Sequence, residues 1–573
     1  MYWSSIVGAL GLLAPLVLAA PSAQLDKRLD CKFNSATDPT CWDDNFNLET
    51  NYYETGPKTG KVHTYDFVIT NITVSPDGIE RTALAINGQI PGPAITANWG
   101  DTIVVHVTNN IGTAGTSIHF HGVRQNNTNS QDGVVSITQC PTPGNGTTTT
   151  YTWIATQYGS SWYHSHYAVQ AWDGLFGPIE IQGPASQKYD IDLGSVMLSD
   201  WTHQTSESIY NAKAHLEDGA TMDNGLINGK NIFTKEDGTV VGKRHEIIFT
   251  PGKTHRIRLV NTAMDTHYNV AIDGHEMEVI AADFVSVDPF KTDILTIGIG
   301  QRYDIIVKPN AAGGNHWFRV QESQYCGFGF SLPNGLDLKA IIRYDANSKE
   351  DPAPKDAPAW ENSCLDMPAA NLKPSLKIDL PESNFAADHT VDFQKQQNPE
   401  TSFMDWMIKE VPYYSPWDYP TLQQVAEKNT SNFDPRQQVV RVDDSKKFIY
   451  ALITVNEGTP HPVHLHGHDF FILGQSKEAF DPATFVPNLK NPPRRDVAMV
   501  QSSGFLAIAF QTDNPGAWLL HCHIGWHTSN GFAMTFLEHE KLIDTNSKEL
   551  KANCDAWKDW SAKAGIKQHD SGV

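Results

Sequence analysis

Four histidine pairs, each with one residue between its two histidines, constrain this chain more than any other feature. The pairs are His119/His121, His164/His166, His464/His466 and His521/His523. In a β-strand, residues i and i+2 point to the same face, so each pair offers two neighbouring imidazoles, whereas a helix would splay them. The sequence therefore predicts an extended backbone at these four places.

Eight imidazoles without a carboxylate among them suit a cluster of more than one metal ion, because imidazole binds copper, zinc, iron and nickel. One such pair is usually an ordinary surface or core feature. Four pairs, one of which straddles a cysteine, argue against coincidence. Structural zinc is disfavoured because the Cys-x₂₋₄-Cys spacing that it prefers is absent from the sequence.

Cys522 lies between His521 and His523, so on a strand its thiol faces away from both imidazoles. It therefore belongs to a second metal site on the opposite face. A trigonal site of two histidines and one cysteine, with a weak or absent axial ligand, is the blue-copper electron-transfer arrangement. His461 and His527 are the candidate histidines. The strand would then carry electrons from Cys522 to the histidine cluster.

Short alternating runs of β-branched and aromatic residues dominate the chain, and helical periodicity is scarce before the last thirty residues. This pattern predicts an all-β fold of Greek-key β-sandwiches. The chain is too long for one core, and its first and last thirds each carry two histidine clusters while its middle third carries none. We expect three sequential domains and a C-terminal tail, with these bounds: 60–185, 186–345, 376–545 and 546–573.

The ends and the charge of the chain predict a secreted, extracellular protein. Residues 1–28 combine an apolar stretch, small residues near Ala20 and a dibasic site, as a signal peptide with a short propeptide would, although no basic n-region precedes them. A net charge of −22 disfavours nucleic acid and anionic membranes as partners, and we expect a monomer. Four glycosylation sequons agree with secretion; they lie at Asn71, Asn126, Asn145 and Asn429.

The motifs around these residues resemble the four copper-binding signatures of the multicopper oxidases over about residues 60 to 573. They are His119-Phe-His121-Gly122, Trp162-Tyr-His164-Ser-His166, His461-Pro-Val-His464-Leu-His466 and His521-Cys-His523-Ile-Gly-Trp-His527. Within that family the chain is similar to ascomycete laccases. The resemblance implies three cupredoxin-like domains and four copper ions, one of type 1, one of type 2 and two of type 3. It also implies one-electron oxidation of phenolic substrates coupled to the four-electron reduction of dioxygen to water.

The resemblance also implies how the ligands divide among the coppers. Type 1 copper would take Cys522, His461 and His527, and type 2 copper would take His119 and His464. The type 3 ions would take two triads: His121, His164 and His523 on one ion, and His166, His466 and His521 on the other.

Two aspartates would act beside these metals. Asp132 stands where the family keeps a proton-donating acid near the cluster, and Asp223 stands where laccases keep the acid that binds the phenol hydroxyl. His527 would be the counterpart of Asp223, because electrons enter through a type 1 histidine. From the sequence alone, both aspartates are also ordinary loop residues close before the turn glycines Gly133 and Gly225.

Three positions depart from the ascomycete pattern. Phe120 stands where many relatives have Trp. Phe532, at the axial position of the type 1 site, replaces the more usual Leu and offers no lone pair. The chain ends in Asp570-Ser-Gly-Val573, close to the Asp-Ser-Gly-Leu terminus that plugs a channel to the cluster in that group. We expect this tail to act as the plug without further cleavage.

Seven cysteines leave one unpaired in a secreted chain, and the unpaired one is expected to be Cys522. The other six allow fifteen pairings. Sequence separation, the domain junction and the family resemblance favour one of them, with the disulfides Cys31–Cys41, Cys326–Cys364 and Cys140–Cys554.

Other functions were weighed against laccase activity. An electron carrier with one blue site does not explain eight cluster histidines. Ascorbate and bilirubin oxidases resemble each other in an axial Met, and membrane-bound ferroxidases carry a C-terminal span; the sequence has neither. A phenol oxidase that tailors a pigment precursor remains open at this point, as does the natural phenol.

Overall fold

The computed structural model describes residues 38–573, apart from a set of short internal segments. These segments are 44, 214–220, 310–312, 324–325, 327–336, 361–363, 382–384, 386, 400–402 and 457. The expected signal peptide, its dibasic site and Cys31 lie outside the described residues. Within them, no helix has the length and apolarity needed to cross a bilayer.

The first domain is a sandwich of two four-stranded sheets, ordered β2-β1-β4-β6 and β3-β8-β7-β5. Its strands are β1 Val62–Val74, β2 Arg81–Ile86, β3 Ile95–Asn98, β4 Thr102–Asn109, β5 His119–Phe120, β6 Thr147–Ile154, β7 Gly159–His164 and β8 Phe176–Gln182. Burial alternates strictly along β4, where Ile103, Val105 and Val107 face the core. This period of two is what a half-buried strand requires.

The second domain pairs a six-stranded sheet, β10-β9-β14-β19-β16-β17, with a five-stranded sheet, β13-β21-β20-β15-β18, and adds the hairpin β11-β12. Its elements are β9 Ile191–Trp201, α1 Ser206–Lys213, β10 Asn224–Ile227, β11 Ile232–Thr234, β12 Val240–Gly242, β13 Glu246–Ile248, β14 His255–Asn261, β15 Tyr268–Ile272, β16 Met277–Ala282, β17 Val285–Thr292, β18 Leu295–Ile297, β19 Arg302–Val307, β20 Asn315–Glu322 and β21 Leu338–Arg343.

The third domain packs a seven-stranded sheet, β24-β23-β22-β26-β31-β28-β29, on a five-stranded sheet, β25-β33-β32-β27-β30. Its strands are β22 His389–Gln397, β23 Met404–Ile408, β24 Val411–Pro412, β25 Val439–Arg441, β26 Phe448–Val455, β27 His461–Leu465, β28 Phe470–Ser476, β29 Arg494–Arg495, β30 Val497–Val500, β31 Phe505–Gln511, β32 Gly516–Cys522 and β33 Ala533–Glu538. Three helices accompany them: α2 Thr421–Ala426, α3 Gly525–Ser529 and α4 Ser547–Ala564.

The all-β prediction is confirmed. Each domain mixes parallel and antiparallel pairs, for example β1 parallel to β4 and β4 antiparallel to β6. α4 lies within the last thirty residues, where the helical pattern was seen. Helices α1, α2 and α3 span eight, six and five residues, too short to show a period of 3.6.

Two disulfides follow the prediction. Cys140 in the first domain is bonded to Cys554 in α4, and Cys326 is bonded to Cys364 beyond the second domain. Cys522 is buried and unbridged. The first of these bonds ties the C-terminal helix to the domain that carries two histidine clusters, and so holds the tail close to them.

Candidate metal centre

Strand register brings histidines of distant motifs together. In the first domain, the antiparallel pairing of β5 with β7 sets His119 opposite His164. In the third domain, the pairing of β27 with β32 sets His464 opposite His521. Residues that are directly opposite on paired strands share a face. The four His-x-His motifs therefore become two facing groups of four imidazoles, one from each domain.

The same register separates two metal sites across one sheet. Val463 lies opposite Cys522, so the two share a face, and His461, two residues before Val463, shares it as well. His464 and His521 lie on the other face. The sequence argument from alternation on the His521-Cys522-His523 strand thus describes the arrangement in the structure.

His461, Cys522 and His527 form a triangle of ligand atoms. Cys522 Sγ lies 3.6 Å from Nδ1 of each histidine, and the two Nδ1 atoms are 3.2 Å apart. A point at the centre of this triangle is about 2 Å from each vertex, close to a metal–nitrogen bond length. The short helix α3, directly after the strand, returns His527 to the strand's cysteine face.

Aromatic rings close this site. The Phe532 ring is fully buried, and its centroid lies 5.0 Å from that of His461 and 3.9 Å from that of Phe393. Trp406, from β23, packs against His461 and His527 at centroid distances of 4.8 and 4.9 Å. Sequence reasoning missed Trp406. It lies on a strand of the other sheet, and its local sequence does not indicate that it packs against this site.

The eight remaining histidines form one cluster between the first and third domains. Their ligand atoms fall into three compact groups, within which all atoms lie within 4.8 Å of one another. The groups are His119/His121/His464, His121/His164/His523 and His166/His466/His521. One short contact crosses the domain boundary, from His523 Nε2 to His121 Nδ1 at 3.2 Å. Within the third domain, His466 Nε2 lies 3.2 Å from His521 Nε2. Every sequence-predicted histidine ligand is therefore in one of the two sites.

The cluster is chemically suited to bound metal. The Nε2 atoms of His119, His164 and His464 are buried with no hydrogen-bond partner among the described residues. Nδ1 of His119 and of His464 each donate to a backbone carbonyl, of Asp132 and Asp496, at 2.7 Å. Buried imidazole nitrogens of this kind, with the other nitrogen fixed, are typical of metal ligands.

Burial also sets the protonation of these rings. Desolvation and neighbouring imidazoles hold the pKa of most cluster histidines well below the ordinary 6.5, and the pKa of His521 falls to about 4. Neutral imidazole is the form that binds a metal ion. The imidazole and thiolate donor set fits copper, for which both ligand types are common.

Asp132 lies against the cluster, fully buried. The ring N–H of His466 donates to Asp132 Oδ2 at 2.9 Å, and the Nδ1 atom of His119 is 3.2 Å from Oδ1. The carboxylate therefore contacts one histidine from the first domain and one from the third, which a loop aspartate that faces solvent would not do.

Asp496 is a second buried acid beside the cluster, and sequence reasoning missed it. Its Oδ1 accepts from His121 Nε2 at 3.1 Å, while Arg302 of the second domain donates to both carboxylate oxygens at 2.6 Å. Burial raises the pKa of Asp496 to about 6, although the positive charge of Arg302 acts to lower it. The sequence signal is the charged run Arg494-Arg495-Asp496 directly before the apolar run 497–500, since charges that become buried must be paired.

The structure does not show a contact between Asp223 and His527 within its described residues. Asp223 Oδ2 accepts the backbone N–H of His203 at 2.7 Å, and the side chain is 46% exposed. Burial, His461 and the charge of Lys395 lower the pKa of His527 well below 6.5. Asp223 is thus an accessible, anchored carboxylate, whereas His527 is largely covered.

The C-terminal tail reaches the cluster. Val573 is 2% exposed and lines a cavity together with His164, His166, His521 and His523. Ser571 holds the tail in place, because its N–H donates to the Ser529 carbonyl at 2.9 Å and its hydroxyl to the Thr528 carbonyl at 2.8 Å. Gly572 has φ +100°, and a Cβ there would lie 2.0 Å from the Ser415 carbonyl oxygen, so only glycine fits.

Comparisons with known proteins agree with this geometry. Family models described as multicopper oxidase match residues 68–186, 193–347 and 414–541. Laccase-1 of Botryotinia fuckeliana is 42% identical over 99% of this chain and 97% of its own length. Dihydrogeodin oxidase of Aspergillus terreus is 37% identical over 98% of each chain. The crystal structure of the laccase from Botrytis aclada has a TM-score of 0.87 at 40% identity, covering 94% of this chain and 99% of that one.

Proposed function

Because the chain belongs to the multicopper oxidase family, with ascomycete laccases among its relatives, we propose that it is a laccase that takes single electrons from phenolic substrates and reduces dioxygen to water. One observation carries this proposal. Cys522 of the triangular site and His521 and His523 of the cluster are consecutive residues of one chain segment. Oxidation of a donor and reduction of dioxygen are thereby connected by a few covalent bonds.

Copper supplies the one-electron chemistry at the triangular site and the dioxygen reduction at the cluster. His461, Cys522 and His527 would hold type 1 copper, and His119 and His464 would hold type 2 copper. The two type 3 ions would each take one histidine triad, His121/His164/His523 and His166/His466/His521. Both triads are among the compact groups of ligand atoms, which supports this division.

A hydrogen bond provides a second route for electrons from Cys522 to the cluster. His521 Nδ1 donates to the backbone carbonyl of Cys522 at 2.8 Å, and the hydroxyl of Thr528 also donates to that carbonyl. These contacts fix the ring of His521 against the cysteine backbone. The route from the thiolate to the cluster therefore has both a covalent and a hydrogen-bonded branch.

Two aspartates would take part in proton transfer. Asp132, which accepts from His466 and lies beside His119, would deliver protons for dioxygen reduction. Asp223 would accept the hydroxyl proton of the phenol while His527 takes its electron, a division that its exposed carboxylate supports. Phe532 would leave the type 1 site without an axial donor.

We also propose that the protein is secreted, glycosylated and monomeric. Asn71, Asn126 and Asn145 are exposed, so their side chains are accessible to glycan addition, and Asn429 is partly exposed. Neither nucleic acid nor a membrane is expected as a partner for a chain of charge −22.

A steady-state comparison of a simple phenol, ascorbate, bilirubin and ferrous iron tests this function. We expect kcat/KM to be highest for the phenol, with oxygen consumed in a ratio of one molecule to four substrate electrons. A preference for ferrous iron or bilirubin would contradict it. The similarity to a dihydrogeodin oxidase favours one second candidate, a tailoring oxidase, which would accept one polycyclic phenol and few simple ones.

A further inference from the structure

A cavity that belongs to neither metal site opens between the first two domains. Its volume is about 320 Å³, within the range of small-molecule sites. Its apolar walls come from Ile72 and Val74 of β1 and from Ile90, and Trp201 at the end of β9 lines it from the second domain. We term it the seam cavity.

The Trp201 ring forms one wall of this cavity. The residue is 3% exposed, and its indole Nε1 is buried away from solvent. The guanidinium of Arg81 lies 3.8 Å from the centroid of the indole ring and is itself paired with Asp173 at 2.8 Å. The ring is therefore held in place from one side.

Two lysines make the cavity locally cationic. Lys230 and Lys243 line it with exposed side chains, and neither has a carboxylate within 4.0 Å in the described part of the chain. Apolar walls, which include the Trp201 ring, and two ammonium groups together are complementary to a molecule with a flat apolar body and an anionic end.

We propose that the seam cavity binds an aromatic carboxylate. Its ring would contact Ile72, Val74 and Ile90, and its carboxylate would accept hydrogen bonds from the two lysines. The backbone carbonyl of Trp201 accepts the N–H of Asp223 at 3.0 Å. A ligand in the cavity therefore contacts the strand that holds the candidate substrate base, but it binds apart from both metal sites.

Saturation-transfer NMR with benzoate, which carries no oxidisable phenol, tests this site on the copper-loaded protein. We expect benzoate to bind wild-type protein in the millimolar range, as suits so small a ligand. The double variant Lys230→Gln/Lys243→Gln should weaken binding by about tenfold or more, the loss expected for hydrogen bonds to a charged group. The control Lys541→Gln/Lys548→Gln has the same charge change at exposed positions elsewhere and should bind as wild type does.

Failure of wild-type protein to bind benzoate would overturn the proposal. Unchanged binding in the lysine variant would also overturn it, because benzoate would then occupy another pocket. Since benzoate is not oxidised, either result leaves the proposed phenol oxidase activity untouched.

Discussion

Arg302 of the second domain and Asp496 of the third form a buried ion pair through two hydrogen bonds, each 2.6 Å long. Asp496 in turn accepts from His121 and, through its backbone carbonyl, from His464. Gly300, two residues before Arg302, approaches so closely that a Cβ would lie 3.2 Å from the His121 ring. None of the described residues of the second domain belongs to either metal site, yet this domain fixes histidines of both other domains.

Arg302→Lys should therefore damage the cluster and spare the triangular site. Lysine keeps the charge but cannot bridge both carboxylate oxygens, so Asp496 loses one of its fixed contacts. We expect a loss of copper from the cluster and an altered type 2 signal in electron paramagnetic resonance, with the blue absorption retained. Stability should fall by about 1–3 kcal/mol, the cost of a lost bond between buried charges.

Arg319→Lys is the matched control. Arg319 forms the same two-bond contact with Asp273, at 2.7 and 2.8 Å, and is also buried. We expect a similar loss of stability with copper content unchanged. Equal copper loss in both variants, or none in either, would show that Arg302 has no special role at the cluster.

Phe532→Met should lower the reduction potential of the triangular site while the blue absorption is kept. The thioether can donate to the metal where the phenylalanine ring cannot, and an added donor stabilises Cu(II) over Cu(I). A tenfold change in relative stability corresponds to about 59 mV, so we expect a fall of that order. A redox titration followed by the blue absorption measures it.

Phe393→Met separates an axial effect from a packing effect. Phe393 packs on Phe532 with ring centroids 3.9 Å apart, and it is equally buried. Its replacement should disturb the core without changing the potential. If both variants shifted the potential alike, residue 532 would not be the axial residue.

The sequence predicts the candidate metal ligands better than it predicts the residues that position those ligands. The i, i+2 spacing defined the four pairs and put Cys522 on the other face, because alternation along a strand is a local property. Arg302 and Trp406 lie on separate strands and Asp496 lies between β29 and β30, so only the tertiary fold brings the three to the sites. The short helix α3 was equally invisible, although it carries His527 into the triangle.

The fold, too, has features that follow from local sequence and features that do not. The strands of the sandwiches follow from local alternation, as in β4, but their order in the sheets does not. The roles expected of Asp223 and His527 require both residues to flank one phenol, and such a juxtaposition is not a local property of the sequence. The role of Asp223 accordingly stays a prediction.

Asp223→Asn tests that role. Geometry is nearly kept, since the amide oxygen can still accept from the His203 N–H, but the base is lost. Turnover of a phenol should fall by a factor on the order of 10², the usual contribution of a general base. The pH optimum of the variant for phenol oxidation should move upward, because the phenol must then lose its proton unaided.

A donor that releases only an electron provides the control for this variant, and its turnover should change little. Equal slowing of both donors, or of neither, would make Asp223 a structural loop residue. The comparison needs only initial rates across a pH series with the two donors.

Asp570→Asn should change how stability depends on pH. Burial raises the pKa of Asp570 from the ordinary 3.8 to about 6, so the folded protein favours the protonated acid. Wild-type stability should therefore fall as pH rises from about 4 to 6, by up to about 3 kcal/mol, while the asparagine variant lacks this loss. Denaturant midpoints at several pH values measure the difference, and parallel curves would contradict the account.

The most direct test of the two-site account is copper content and spectroscopy of Cys522→Ser beside wild type. Serine removes the thiolate from the triangle, but its neighbours His521 and His523 keep their place in the cluster. The account predicts four copper ions and blue absorption in wild type. The variant should hold three copper ions, show no blue absorption and keep the type 2 signal. A variant that stayed blue, or that lost the cluster while the triangle kept its metal, would contradict it.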